Sequence, residues 1–210
     1  MPAMGRKIGV FGGSFDPPHN GHLICAKAAA DRLGFEKILV IPSAQQPLKP
    51  KGARASAEDR LRMVAATFGG DPIFEVSTIE LDRGGISYSV ETLLELRLLY
   101  PAPEFSLVLL VGADALADIP NWSKPDQIFR IAKVASMLRR GAVAPEFPAE
   151  WTVQVIELDT PHIDISSREI RARIAAGKSI AGLVPEEVGR IIKANSLYVV
   201  QESASIISPQ

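Results

Sequence analysis

The order of apolar runs and helix-period segments constrains this chain more than any other feature. Residues 8–11 read as a first strand, 21–33 as a helix closed by Gly34, 37–41 as a second strand and 58–68 as a second helix. A strand at 73–81 follows, then a helix at 89–100 whose Leu93, Leu94, Leu96, Leu98 and Leu99 supply apolar surface, then a buried strand at 106–111. Strands at 133–138 and 153–158 and helices at 166–176 and 185–194 complete the alternation. Parallel strands cannot be joined by tight hairpins and need crossovers, so this order predicts an α/β fold. The expected architecture is a doubly wound parallel sheet with helices on both faces and a small C-terminal helical part.

With 210 residues, the chain is long enough to bury a substantial core as one unit, read as 1–200 with a loose tail at 201–210. Two irregular stretches stand out: 42–57, long enough to be functional, and 141–150, a connection rich in Pro and Ala. Lys and Arg total 23 against 24 Asp and Glu, which predicts no nucleic-acid partner and no membrane surface. An anionic ligand must then be held by local groups. No run approaches the ~20 apolar residues of a membrane span. The single cysteine, Cys25, has no partner for an intramolecular disulfide and fits a reducing cytoplasm. It sits among Leu23, Ile24 and Ala26 and reads as buried helix filler rather than a nucleophile. Oligomeric state stays open, a homo-oligomer included.

The junction between the first strand and first helix runs Gly12, Gly13, Ser14, Phe15, Asp16, Pro17, Pro18, His19, Asn20, Gly21, His22. In a parallel sheet this lies at the carboxyl end of the strands, where ligands bind. Glycine there permits close backbone approach and positive φ angles, and the helix start offers unpaired N–H groups to an anion. His19 and His22 are three apart, which puts both rings on one helix face at a phosphate-sized location. One histidine alone is as easily structural as functional. The pair inside a Gly- and Pro-bounded turn favours function, and no third ligand stands at zinc spacing.

Residues 12–23 resemble the nucleotidyltransferase signature in which a Gly-rich turn leads into His-x-Gly-His. Cytidylyltransferases, pantetheine-phosphate adenylyltransferases and, more remotely, class I aminoacyl-tRNA synthetases share that motif, so it marks a superfamily with a Rossmann-like fold and no particular substrate. The G-x-G-x-x-G spacing of hydride-transfer dinucleotide folds is absent. Near the other end, Ile165, Ser166, Ser167, Arg168, Glu169, Ile170 and Arg171 open a helix with Ser166 as N-cap and Glu169 at capping-box spacing. A well-capped helix is the plain reading. Coming after the first motif, the segment resembles the Ile-Ser-Ser-Thr-x-Ile-Arg stretch of nicotinate mononucleotide adenylyltransferases.

That resemblance extends over about 8–200 and implies the site. His19, His22, Arg171 and Lys49 would be catalytic. ATP would be held by Gly12, Gly13, Ser14, Phe15, His19, His22, Asp114, Ile165, Ser166, Ser167 and Arg171. Nicotinate mononucleotide would meet Ser14, Phe15, Lys49, Tyr88, Ser89, Asp114 and Trp122, with the Trp122 indole stacked on the pyridine ring and backbone N–H groups near Ser89 on its carboxylate. By composition alone Trp122 is more often core. Departures from the family pattern are Arg168 for its Thr, Pro47-Leu48-Lys49 for its Pro-His-Lys, and Glu91-Thr92 for its Asp-Thr.

The implied activity is adenylyl transfer from ATP to nicotinate mononucleotide in NAD biosynthesis. The attacking phosphate monoester is already mostly ionised near neutral pH, its second pKa being ~6. No strong base is needed, which suits a site of imidazoles, lysine and arginine rather than paired carboxylates. Mg²⁺ would arrive with ATP and keep most of its waters. Two alternatives stay open: a sibling transferase acting on nicotinamide mononucleotide or phosphopantetheine, and an NAD-dependent oxidoreductase or nucleotide sensor that releases no pyrophosphate.

Overall fold

The structure is a computed structural model and describes residues 5–47, 52–138, 146–161 and 163–200. Six strands form one parallel sheet among these residues: β1 (Arg6–Gly13), β2 (Lys37–Pro42), β3 (Phe74–Val76), β4 (Phe105–Gly112), β5 (Lys133–Leu138) and β6 (Val155–Asp159). Their spatial order is β3-β2-β1-β4-β5-β6. The chain winds outward from β1 in one direction and then from β4 in the other, so the winding reverses between two adjacent strands, β1 and β4. A crevice opens at such a reversal, at the carboxyl ends of the strands.

Alternation along each strand sends side chains to two cores. Ile8, Val10, Leu107, Leu109 and Val111 face one side and meet α4 (Ser89–Leu99), α5 (Ala113–Asp118) and α6 (Pro125–Ile131) through Leu93, Leu96, Leu116 and Ile128. Phe11, Ile38, Val40, Val108 and Leu110 face the other side, covered by α1 (Asn20–Leu33) and α2 (Ala57–Phe68) through Ala26, Ala29, Val64 and Phe68. The sheet is therefore doubly wound, as the alternation of elements predicts. A third, smaller core joins Met63 of α2 to Ile170 of α8 (Ser167–Ala175), Val188 and Ile192 of α9 (Glu186–Ala194), and Tyr198. This is the C-terminal helical part, and it packs beside the first strand-to-helix junction.

Two expected strands need correction. The strand expected at 73–81 pairs with β2 only over Phe74–Val76, and Ile79–Arg83 turns into a short helix, α3. The run expected to be strand at 153–158 is shifted to Val155–Asp159, preceded by the short α7 (Ala149–Thr152). Helices α5 and α6 fill a stretch that the periodicity left unassigned. Gly34 closes α1 in the left-handed region at φ 61°, donating its N–H to the Ala30 carbonyl, which is the role expected of it. Cys25 is half-buried on α1, and burial raises its thiol above the usual range, against a hydrogen bond with Thr160 that lowers it.

Candidate active site

The first strand-to-helix loop is built around two histidines and one buried carboxylate. His19 is the N-cap of α1, and its Nδ1 accepts from the His22 backbone N–H at 3.3 Å, while His22 Nδ1 accepts from the His19 N–H at 3.2 Å. This is a capping box in which imidazoles replace the usual hydroxyl and carboxylate. The rings stack with centroids 3.6 Å apart. His19 is 7 % exposed, and burial pushes its pKa down to about 4, so it is neutral at physiological pH. Phe15 sets its ring edge against His22 with centroids 5.2 Å apart.

Gly21 separates the histidines for a steric reason. A Cβ there would lie 3.0 Å from His19 Nδ1 and 3.1 Å from Ile163 Cγ2, tighter than ordinary contacts allow. The positive φ expected of the loop glycines falls instead on Phe15, at 47°; Gly12 and Gly13 are strand residues at the end of β1. A Cβ at Gly12 would meet nothing within 4 Å among the described residues. At the start of α1 two amides are already engaged. Asn20 donates its N–H to the Leu183 carbonyl and His22 donates to His19.

Asp16 ties the loop to the rest of the protein. Its carboxylate accepts from the Arg54 and Ala55 N–H groups at 2.8 and 3.1 Å and from the Tyr198 hydroxyl at 2.8 Å. Arg171 of α8 lies 3.7 Å from that carboxylate and donates to the Asp16 carbonyl at 2.5 Å. Ser167 donates its hydroxyl to the Pro17 carbonyl at 2.8 Å. Two segments about 150 residues apart are thus locked together. Burial and the Asp16 carboxylate raise the Tyr198 phenol well above its ordinary range, so it stays a donor.

A cavity of about 200 Å³ opens where these parts meet. Gly12, Gly13, Ser14, Phe15, His22, Ser167 and Arg171 of the two motifs line it, joined by Phe11, Asp16 and Gln46, which the motifs did not nominate. That volume suits a polyphosphate segment and is below the 300–1,000 Å³ of whole-ligand pockets. His19 stands behind His22. Ser166 caps α8, accepting from the Glu169 N–H at 3.1 Å, while the Glu169 carboxylate turns to Arg173 at 4.0 Å. Ile165 packs into the C-terminal core. Lys49 lies outside the described residues, as does the expected tail at 201–210.

The remaining residues lie outside that cavity. Tyr88 precedes Ser89, the first residue of α4, and Asp114 lies exposed on the first turn of α5. Trp122 is half-buried just before α6 and packs on the same core as Tyr88. Helices α4 and α5 follow β3 and β4, so their starts lie along the carboxyl edge of the sheet, on the face opposite α1. Thr92 is buried, donating to Glu80 at 2.7 Å and accepting from Arg83 at 2.9 Å. A larger hollow of about 540 Å³ involves Ser106, Lys133, Asp126 and Trp151, at the amino ends of β4 and β5 and away from both motifs.

Among the described residues no helix is long and apolar enough to cross a membrane. The cytidylyltransferase-like family matches residues 10–173. A probable nicotinate-nucleotide adenylyltransferase of Roseiflexus castenholzii is 39% identical over 91% of this chain and 98% of its own. Another, of Gemmatimonas aurantiaca, is 42% identical over 91% and 92%. A solved structure of Plasmodium falciparum nicotinic acid mononucleotide adenylyltransferase complexed with APC superposes with a TM-score of 0.72 at 15% identity, covering 92% of this chain and 97% of that one. At that identity it supports the fold alone.

Proposed function

The chain belongs to the cytidylyltransferase-like family and, within it, to the nicotinate-nucleotide adenylyltransferases, and from that premise we propose that it joins ATP to nicotinate mononucleotide, giving nicotinate adenine dinucleotide and pyrophosphate in NAD biosynthesis. One observation carries the reading: His22, the β1 loop and the Ser167–Arg171 turn of α8 line one polyphosphate-sized cavity at the strand-order reversal.

In the reaction, an oxygen of the acceptor's phosphate forms a bond to the α-phosphorus of ATP, and the bond from that phosphorus to the bridging oxygen breaks. Pyrophosphate leaves with the electron pair. The nucleophile is largely dianionic, so catalysis rests on alignment and on stabilising the charge that moves to the leaving group. His22 would donate its Nε2–H to the α-phosphate region, with His19 fixing its ring. Arg171 and the α8 backbone would hold the β- and γ-phosphates; the Ser167 hydroxyl is committed to Pro17. Lys49 would add a cation from the 42–57 loop.

Magnesium would ride on the nucleotide, where it supplies charge neutralisation at the phosphates. Among the described residues Asp16 is the one carboxylate lining the cavity, and it is already engaged by two amides, Tyr198 and Arg171. The acceptor's pyridine would cross to the α4 and α5 side of the carboxyl edge, near Tyr88, Ser89, Asp114 and Trp122. We take residues 1–200 as one catalytic unit working in the cytoplasm, the lone Cys25 agreeing with a reducing compartment.

The acceptor is tested by competition. Nicotinate mononucleotide, nicotinamide mononucleotide and phosphopantetheine are offered together with ATP to one enzyme sample, and products are separated by chromatography. The nicotinate dinucleotide is expected to dominate; predominance of either other product reassigns the acceptor.

A further inference from the structure

Arg60 is an unusual residue to find inside a protein: it is 2 % exposed and makes no ion pair among the described residues. Its Nη1 donates to the Ser14 carbonyl at 2.9 Å, its Nη2 reaches the Ala44 carbonyl at 3.5 Å, and its buried Nε has no partner among the described residues. Ser14 lines the cavity, and Ala44 lies two residues before Gln46, which also does. Desolvation lowers the guanidinium's pKa, while the Asp16 charge opposes that. Arginine nevertheless stays protonated in proteins.

Burying a charge without a direct counterion is costly unless something nearby compensates it. Asp16 is shared with Arg171, so around this cavity two guanidiniums face one carboxylate. His19, held neutral, adds nothing at physiological pH. An anion in the cavity would balance this arrangement, and a fixed buried charge near it would act without reorganisation.

We propose that Arg60 is a positioning residue for the ATP polyphosphate: from beneath the β1 loop it fixes the Ser14 backbone and supplies buried positive charge toward the cavity, without touching substrate. The inference deepens the adenylyl-transfer reading and rests on it for the identity of the anion.

The probe is inorganic tripolyphosphate, titrated calorimetrically into the full chain, alongside ligand-free melting curves. Arg60→Gln keeps a donor for Ser14 and removes the charge; it is expected to weaken tripolyphosphate binding at least tenfold. Arg60→Lys keeps the charge and is expected to stay within about threefold of the wild type. In steady state, Arg60→Gln should raise KM for ATP while KM for nicotinate mononucleotide moves less than twofold. A folded Arg60→Gln protein with a lower melting temperature but unchanged tripolyphosphate affinity would mean a purely structural role and overturn the proposal. Should that variant not fold, Arg60→Lys decides alone, and a tenfold loss there overturns it. Failure of the wild type to bind tripolyphosphate also overturns it. Failure to form dinucleotide, with tripolyphosphate binding intact, would instead count against the adenylyl-transfer reading.

Discussion

His19 and His22 each offer ring Nδ1 to the other's backbone N–H, at 3.3 and 3.2 Å, with their rings 3.6 Å apart. A neutral imidazole that accepts at Nδ1 carries its proton on Nε2, so the cap selects the tautomer of both rings. Helix initiation and donor presentation are thereby one interaction. His22→Ala should lower kcat by about 10²–10³, the usual loss for one preorganised donor. The cap loss should cost only about 1 kcal/mol of stability. Steady-state kinetics beside urea denaturation check both numbers; a folded variant with near-normal kcat contradicts the assignment.

Gly21→Ala sets helix propensity against the site. Alanine gains about 1 kcal/mol in a helix, yet its methyl would press on His19 Nδ1 at 3.0 Å and Ile163 Cγ2 at 3.1 Å. The two effects should nearly cancel in the melting temperature, while kcat falls about tenfold because the imidazole is displaced. Wild-type turnover in this variant would mean that the ring position is not critical.

The depressed pKa of His19 predicts acid sensitivity. Its folded-state value is about 4 against an ordinary 6.5, so the unfolded chain binds the proton first as pH drops. The stabilisation is fully present above pH 6.5 and is lost as pH falls toward 4, amounting to about 3 kcal/mol. His19→Asn keeps a good N-cap and removes the titration. Denaturant unfolding at pH 7 and pH 4.5 should show a stability loss smaller in the variant by about 2 kcal/mol, the part of that amount already lost at pH 4.5. Equal losses in both proteins would place the acid sensitivity elsewhere.

Tyr198→Phe removes one donor from a buried carboxylate. Hydrogen bonds to charged groups contribute about 1.5–3 kcal/mol, and Asp16 also holds Arg171. The variant should lose that much unfolding free energy, unfold at lower urea, and show a raised KM for ATP with little change in KM for the acceptor. A stability loss with both KM values unchanged would separate Tyr198 from the site.

Much of this was readable from residue order. The strand and helix at the two ends of the first junction follow from local periodicity and from glycine at 34, which needs no tertiary information. The strand expected at 73–81 fails because the apolar content of Ile73, Phe74, Val76, Ile79 and Leu81 cannot reveal where pairing stops. Ser77 donates the last ladder bond to Val40, and Asp82 then bonds back to Thr78 to start α3. Pro125 occupies the first turn of α6, where its missing N–H costs nothing. The motifs pointed to Gly12, Gly13, His22, Ser167 and Arg171. Asp16, Arg60 and Tyr198 stayed invisible because each matters through a distant partner: Tyr198 meets Asp16 across 182 positions. No spacing rule encodes that contact. The sequence places Arg60 beside Leu61, Met63 and Val64 but does not show that it is buried.

The central claim is that the cavity divides ATP between its α- and β-phosphorus atoms and passes the adenylyl half to nicotinate mononucleotide. ATP labelled with radioactive phosphorus at the α position, and separately at the γ position, tests it in two parallel reactions. The account predicts α-label in the dinucleotide alone and γ-label in pyrophosphate alone, in equal molar yield. Label from the γ position on the acceptor, or release of ADP, would contradict it.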